Sequence, residues 1–420
     1  MPNPKVGGQY TVVQGDTLSG IAERAYGDPN EWPRIFQANQ SALKSGAPDL
    51  IFPGEVLNIP VLPEIEDIRS RFFRSRGVTD GIELKIEDRI LPIQSGSVTR
   101  TMDTAADGWT AVFAWEPGAD SRIDELTRPY SYHRAAVSLD GELAVSGWIY
   151  NIIPKFDGQG RSKTLKGYSY TVDAVDSHLR PPYEANNVTL EQRARELLRP
   201  MGIGVEVDPN VDVRGQFDRV TATPTETVFK HLQKLAEQRR ALLSSTPPGN
   251  MLITKADLLS PVAPVGTIEE GVSFVNEFSA DFNGRKRFNV YRAISQGADK
   301  TDQKVGIAKD DLIPLSRFMT FSVNDSLKGE MNQVAAWRRN QETSKALKIP
   351  ISLDTWYAPN GELWRVNTRI VIKSITLGIP DGFTFLITQV DFGWNPKGKN
   401  ARVNVLPVSY YSDGDLLDPW

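Results

Sequence analysis

The chain has 420 residues, a formal net charge of −4, 40% hydrophobic and 24% charged residues, and no cysteine. Such a length predicts about two to four domains with ample core, and the composition is ordinary for a globular protein. There is no basic surplus to hold nucleic acid by counterion release, and the lack of thiols excludes disulfide frameworks and thiolate metal sites. Residues 1–8 have neither an apolar core nor a cleavage pattern, so no signal peptide is expected. No run of about 18 apolar residues occurs, so no membrane span is expected.

Tyr10 to Val13 suits a short strand, which Gly15 breaks. Asp16 is placed to cap a helix by accepting from the free amides of its first turn. Leu18, Ile21, Ala22 and Ala25 recur at helical spacing and give that helix one apolar face. Gly27-Asp28-Pro29 ends it, and a second helix carries Trp32, Ile35 and Phe36 and runs out near Asn39. Val56, Leu57 and Ile59 form a closing strand that Pro60 terminates. The order predicts two helices on a two-stranded sheet, β-α-α-β.

The opening Gln14-Gly-Asp-Thr-Leu-Ser-Gly-Ile-Ala22 and the ending Leu50-Ile-Phe-Pro-Gly-Glu-Val-Leu-Asn-Ile-Pro60 closely resemble a LysM domain. The resemblance implies binding of N-acetylglucosamine chains, as in peptidoglycan or chitin, in a groove between two loops. Those loops fall here at Gly15, Asp16, Thr17 and Leu18, and at Pro48, Asp49, Leu50 and Ile51. Gly15, Asp16 and Leu18 serve equally well as turn, cap and core.

Val61 to Arg76 is a charged linker of about 16 residues, able to reach at most about 50 Å when extended. It reads as a solvated arm or short helix. The functional alternative is a docking strip of Arg69, Arg71, Arg74 and Arg76 for an acidic neighbour. From Val78 to about Arg180 the pattern turns to β: Ile82, Leu84 and Ile86 alternate with charged residues, and Asp140-Gly141 sits between two strands as a tight hairpin turn. Residues 187–256 change character. Thr189-Leu-Glu-Gln192 is a capping box opening a helix to Arg199, and Thr223-Pro-Thr-Glu226 reads as a second helix start. Residues 241–245 and 251–254 read as a hairpin. From Thr267 the chain returns to strands, with a polar loop expected over Lys300–Pro314 and a helix over Glu330–Lys345. Strands are expected at Thr355–Tyr357 and Leu363–Val366, around an Asn360-Gly361 turn that echoes Asp140-Gly141.

The order β, α/β, β resembles the hub proteins of contractile phage tails, especially the Mu-like baseplate hub or late-control family. The residues that carry this are Phe217-Asp-Arg-Val-Thr-Ala-Thr-Pro-Thr-Glu-Thr-Val-Phe229, Leu235-Ala-Glu-Gln-Arg-Arg-Ala-Leu-Leu243, Gly249 to Thr254, and Pro359-Asn-Gly-Glu-Leu-Trp364 followed by Phe383 to Phe392. The expected fold is multidomain α+β: a βααβ LysM domain at 1–60, a linker at 61–77, a first β-barrel-type hub domain at 78–186, an α/β insert at 187–258, and a second β-barrel-type hub domain with a C-terminal tail at 259–420. The resemblance implies a non-enzymatic homotrimer in the tail baseplate of a virion, assembled in the host cytoplasm. Its implied partners are the tail tube protein, the central spike protein and baseplate wedge proteins, with peptidoglycan glycan chains as a further partner. No cofactor is implied. The alternative is a cell-wall-binding enzyme or secreted wall-binding protein anchored by LysM.

An enzyme would need a catalytic constellation. His133, His178 and His231 are scattered, without metal-ligand spacing. The 52 acidic residues include many pairs that a muramidase could use, yet none sits in a recognisable lysozyme context. Asp124-Glu125 reads as a solvated turn, and Gly202-Ile-Gly204 lacks the strand-glycine-helix context of a phosphate loop. The expectation is therefore no catalytic residue and no metal site.

Overall fold

A strand, two helices and a strand follow one another in the first unit: β1 (Gln9–Thr11), α1 (Leu18–Tyr26), α2 (Trp32–Asn39) and β2 (Val56–Asn58). The computed structural model describes residues 4, 8–26, 29, 32–40, 43–45, 47–48, 50–60, 81–158, 160–256, 263–273, 275–295, 304–323, 331–412, 414–416 and 420. It divides into two units, Met1–Val78 and Thr79–Trp420. In the first, β1 and β2 pair antiparallel with Tyr10 opposite Leu57. Leu18, Ile21 and Ala22 from α1 and Ile35 from α2 bury against Tyr10, Leu57 and Ile59 of the sheet side, which is the apolar face that helical spacing predicts.

The cap of α1 differs from expectation. Thr17 takes that role, its Oγ1 accepting from the Gly20 amide at 3.1 Å. Asp16 instead turns back to the strand, accepting from the Val13 amide at 2.9 Å and from the Tyr10 hydroxyl at 2.8 Å. The reason is the partner at Arg24, 2.5 Å away on α1, which makes an inward ion pair available that a cap position would forgo.

The second unit begins with β3 (Ile82–Ile86), β4 (Arg89–Leu91), β5 (Ser95–Thr101), β6 (Gly108–Ala114), α3 (Ser121–Leu126), β7 (Arg134–Leu139), β8 (Glu142–Asp157) and β9 (Gly160–Ser169). Then come α4 (Val172–Asp176), β10 (Glu184–Thr189), α5 (Leu190–Leu198), β11 (Val205–Val207), β12 (Gln216–Thr221), α6 (Val228–Gln238), β13 (Leu242–Ser245) and β14 (Met251–Thr254). The last part holds β15 (Thr267–Glu269), β16 (Val275–Phe278), β17 (Asp281–Phe282), β18 (Val290–Ser295), β19 (Val305–Lys309), β20 (Phe318–Val323), α7 (Met331–Ser344), β21 (Leu347–Leu353), β22 (Arg369–Ser374), β23 (Ile379–Asn395) and β24 (Gly398–Pro407).

Two separate barrels are expected; one continuous sheet is found. Its order runs β16-β21-β24-β23-β5-β6-β9-β8-β7-β3-β4, with β15, β17 and β22 attached beside it. No closed barrel forms among the described residues. The physical cause is β23, whose 17 residues span about 56 Å at strand rise. Its first half pairs with β22 and its second half with β5, so the two β regions share a strand instead of closing on themselves. One apolar core runs through both, from Leu84 and Val98 to Ile351 and Val405.

The middle segment packs its own core. Leu190, Ala194 and Leu198 of α5 meet Leu232, Leu235 and Ala236 of α6 over Met251 and Ile253. The capping box at Thr189 is present: its side chain accepts from the Gln192 amide while Gln192 accepts from the Thr189 amide. The second expected cap shifts by four residues. Thr227, not Thr223, caps α6 and accepts from the Lys230 amide, because Glu226 is drawn inward to Lys234 and His231.

Two further expectations are corrected. The polar stretch Lys300–Pro314 contains strand β19, held by antiparallel pairing to β18 with Arg292 opposite Ile307. The strands expected at Thr355–Tyr357 and Leu363–Val366 reduce to a single bridge between Tyr357 and Leu363. Trp356 is fully buried there, its indole nitrogen donating to the carbonyls of Gly393 and Asn400. Satisfying that buried indole turns the backbone away from a regular ladder.

Candidate functional site

In the first unit the strand end just before the first predicted groove loop is hydrogen-bonded to the turn just after the second. The Val12 amide donates to the Glu55 carbonyl and the Gly54 amide to the Val12 carbonyl, both at 2.8 Å. Gly15 and Gly54 have φ of +88° and +91°, which only glycine adopts without strain, so both loops turn sharply at that point. Glu55 is buried and locks its loop from within, accepting from the Phe52 and Lys44 amides at 2.8 Å. The Phe52 amide first, and then the Lys44 amide, outweigh burial and hold its carboxyl below the usual range.

The eight predicted groove residues separate into two kinds. Leu18 is buried in the core, and the Asp16 carboxylate is wholly enclosed. Burial works to raise the Asp16 pKa, but donation from Arg24, Val13 and Tyr10 prevails and keeps it low. Both are folding residues. Gly15, Thr17, Pro48 and Leu50 are exposed, and Ile51 is partly buried against the core. Asp49 lies outside the described residues, as do Arg69, Arg71, Arg74 and Arg76 of the linker. The surface beside the loops holds two side chains that sequence reasoning did not single out. Phe52 and Val56 are 40% and 49% exposed, beside Leu50 at 50%. Nothing in the sequence alone marked them as exposed. Asn39 was also missed. It pins α2 to β2, its side chain donating to the Asn58 carbonyl and accepting from the Asn58 amide, both at 2.7 Å.

In the second unit the histidines are dispersed. His133 lies 3.5 Å from Glu87, His178 forms a β-bridge with Thr227, and His231 is buried on α6. Burial first, and then the nearby Arg193, push His231 down to about 4. It lines a cavity of about 600 Å³ between α6 and the β20–α7 pair, with Glu226, Lys234, Glu237, Trp337 and Arg338. The carboxylates there are engaged: Glu226 with Lys234 at 2.5 Å and Glu237 with Arg338 at 3.1 Å. Asp124, expected in a solvated turn, lies on α3 and accepts from the Trp115 indole at 2.6 Å. Among the described residues no group of three or more His, Cys, Asp or Glu could hold a metal ion.

The joint between the β sheet and the middle segment is a buried polar cluster. Asp107 accepts from the Thr101 amide at 2.9 Å, from Arg100 at 3.2 Å and from the Ser245 hydroxyl at 2.6 Å. Burial pushes its carboxyl above the ordinary range despite Arg100 beside it. This cluster fixes β13 to the end of β5.

Comparison with known proteins matches residues 10–60 to the LysM domain and residues 171–255 to the second domain of gp44-like baseplate hub proteins. Baseplate hub protein gp44 of Escherichia phage Mu is 24% identical over 328 residues, covering 74% of this chain and 84% of that protein. The 43 kDa tail protein of prophage MuSo2 from Shewanella oneidensis superposes with a TM-score of 0.67 at 24% identity, over 79% of this chain and 99% of that one. A tail protein from Neisseria meningitidis MC58 gives 0.67 at 17% identity, over 79% and 97%. The chain therefore carries a LysM domain at residues 10–60 and a gp44-like baseplate hub domain at residues 171–255, within a fold similar to that of phage tail proteins.

Proposed function

We propose that this chain is the structural baseplate hub of a contractile tail or tail-like particle, joining a hexameric tail tube to a trimeric central spike. The similarity to the Mu hub over 74% of the chain carries the reading. Three copies form a ring, and the two β halves of each copy, held rigidly by the shared β23, supply six comparable positions around it. The neighbours are the tube, the spike and the wedge proteins of the baseplate. The role is mechanical, with no hydrolytic step, and the protein resides in the virion after assembly in the host cytoplasm.

The LysM domain in this proposal chiefly docks within the baseplate, with the linker arginines pairing to an acidic neighbour. Glycan binding between the Gly15–Leu18 and Pro48–Ile51 loops is secondary. What favours a sugar role is the exposure of Thr17 and Leu50 in the two predicted groove loops. Native mass measurement of the chain alone and with its spike tests the hub reading, which requires a trimer in at least one of the two. A chain that stays monomeric in both would sink it. Deleting residues 1–60 separates the LysM roles: failed tail assembly supports docking, and normal assembly with lost adsorption refutes it.

A further inference from the structure

The small sheet β19-β18-β20 has two unlike faces. Its inner face buries Tyr291, Ala293, Ala308 and Val323 against Met331, Val334 and Ala335 of α7. The packing there is saturated: a Cβ on Gly306 would lie 2.1 Å from the Met331 carbonyl oxygen. The outer face is uncovered. An open sheet face is ordinarily polar, yet this one presents Val305, Ile307 and Phe318 at 40%, 50% and 66% exposure. The pairing register sets them in one patch. Ile294 stands beside Val305, Arg292 beside Ile307, and Val290 between Phe318 and Lys309.

The charge of this face is one-sided. Its outward positions on the three strands include Arg292 and Lys309 and no carboxylate. Neither cation enters a salt bridge among the described residues, although such pairs are common elsewhere in the unit, as at Arg287–Asp310. Three strands give a width of about 10 Å, and five or six residues a length of about 17 Å. A single α-helix is about 10 Å across and covers that length in about 11 residues. A strand added at the edge of β19 or β20 would leave the apolar face bare. A helix laid on it would complete a helix–sheet–helix stack with α7 on the far side.

We propose that the outer face of β19-β18-β20 is a docking surface for an amphipathic helix of a partner protein whose apolar stripe is flanked by Asp or Glu. Leucine-like side chains of that helix cover Ile307 and Phe318, and its carboxylates pair with Arg292 and Lys309. The surface is small beside the roughly 800 Å² per partner of a stable interface, so it acts as one element of a larger contact. The proposal stands apart from the hub assignment and from the LysM domain.

The test uses the full chain and two fluorescent synthetic helices of about 18 residues, long enough to hold a helix when bound. They share one leucine face and differ in carrying glutamate or lysine on the polar face. The acidic peptide is expected to bind saturably and about tenfold more tightly than the basic one. Ile307→Ser with Phe318→Ser abolishes binding of both. Arg292→Glu with Lys309→Glu reverses the preference, and this exposed pair of changes leaves the melting temperature unaltered. No binding of either peptide, equal binding of the two, or binding untouched by the variants overturns the proposal. So does concentration-dependent self-association of the wild type that the charge reversal removes, which would assign the face to a second copy of the chain.

Discussion

The Lys399 ammonium donates to both Asp140 carboxylate oxygens, at 2.7 and 2.9 Å, across 259 positions of sequence. The same carboxylate accepts from the Tyr357 hydroxyl at 2.6 Å and the Gly81 amide at 3.1 Å. Asp140 heads the β7–β8 turn with φ of +48°, so a residue chosen for turn geometry also clamps the two β halves together. Its side chain is only 7% exposed. Asp140→Ala removes the carboxylate on which Lys399, Tyr357 and the Gly81 amide converge and is expected to cost about 3 kcal/mol. Lys399→Met leaves the Tyr357 and Gly81 bonds in place and costs less. Urea unfolding followed by tryptophan fluorescence checks both, and equal midpoints for Asp140→Ala and wild type would contradict the clamp.

Ser245 and Asp107 give a second joint. Ser245→Ala removes the 2.6 Å hydrogen bond and leaves a buried carboxylate with fewer donors, at a cost of about 2 kcal/mol. The loss falls between β5 and β13, so limited proteolysis is expected to cut the middle segment, residues 171–255, before the main sheet. Uniform loss of protection across the unit would show that the cluster does not act as a local joint.

His231 makes stability depend on pH. Its folded pKa of about 4 lies below the ordinary histidine value of 6.5, so folding favours the neutral ring. The stabilisation is fully present above about pH 6.5 and is lost as the pH falls through about 4. The difference corresponds to on the order of 3 kcal/mol. The groups facing the ring are Glu226, Arg193 and Lys234. His231→Gln is expected to flatten the loss of stability between pH 6.5 and 4 while lowering stability at pH 7. A variant with the wild-type slope over that window would mean that carboxylates, not His231, govern acid unfolding.

Local pattern and long-range pairing differ in how far a sequence reveals them. The LysM domain was legible because its cues are local: helical spacing at Leu18, Ile21 and Ala22, and the break at Gly15. The capping box at Thr189 and Gln192 was legible for the same reason. The shared strand was not, because nothing within residues 379–395 says that the second half of β23 will leave β22 for β5. That choice depends on partners such as Thr99, whose hydroxyl donates to Asp391 at 2.7 Å. The candidate groove was named by motif alone. Sequence motif placed Asp16 and Leu18 in it, but a motif residue retained for folding looks the same in sequence as one retained for binding. Only the enclosure of Asp16 by Arg24 and Tyr10 separates the two. Leu50, Phe52 and Val56 show the converse, since exposure of an apolar residue is a property of the fold and not of the residue.

That distinction can be tested within the LysM domain itself. Leu50 and Phe52 are 50% and 40% exposed, so Leu50→Ser with Phe52→Ser is expected to change the stability of the domain by no more than about 0.5 kcal/mol per site. Asp16→Asn breaks the enclosed pair with Arg24 and is expected to cost about 3 kcal/mol. Thr17→Ala removes the α1 cap and costs about 1 kcal/mol. If the exposed strip is the working surface, the Leu50/Phe52 variant loses binding while it keeps its fold, whatever the ligand. Titration of the full chain with chitin oligomers and muropeptides, beside a tail assembly assay, reads the outcome. Lost sugar affinity with intact assembly assigns the strip to glycan, and lost assembly with unchanged sugar affinity assigns it to docking. If the variant retains both, the strip is ordinary surface and the binding face lies elsewhere on the domain.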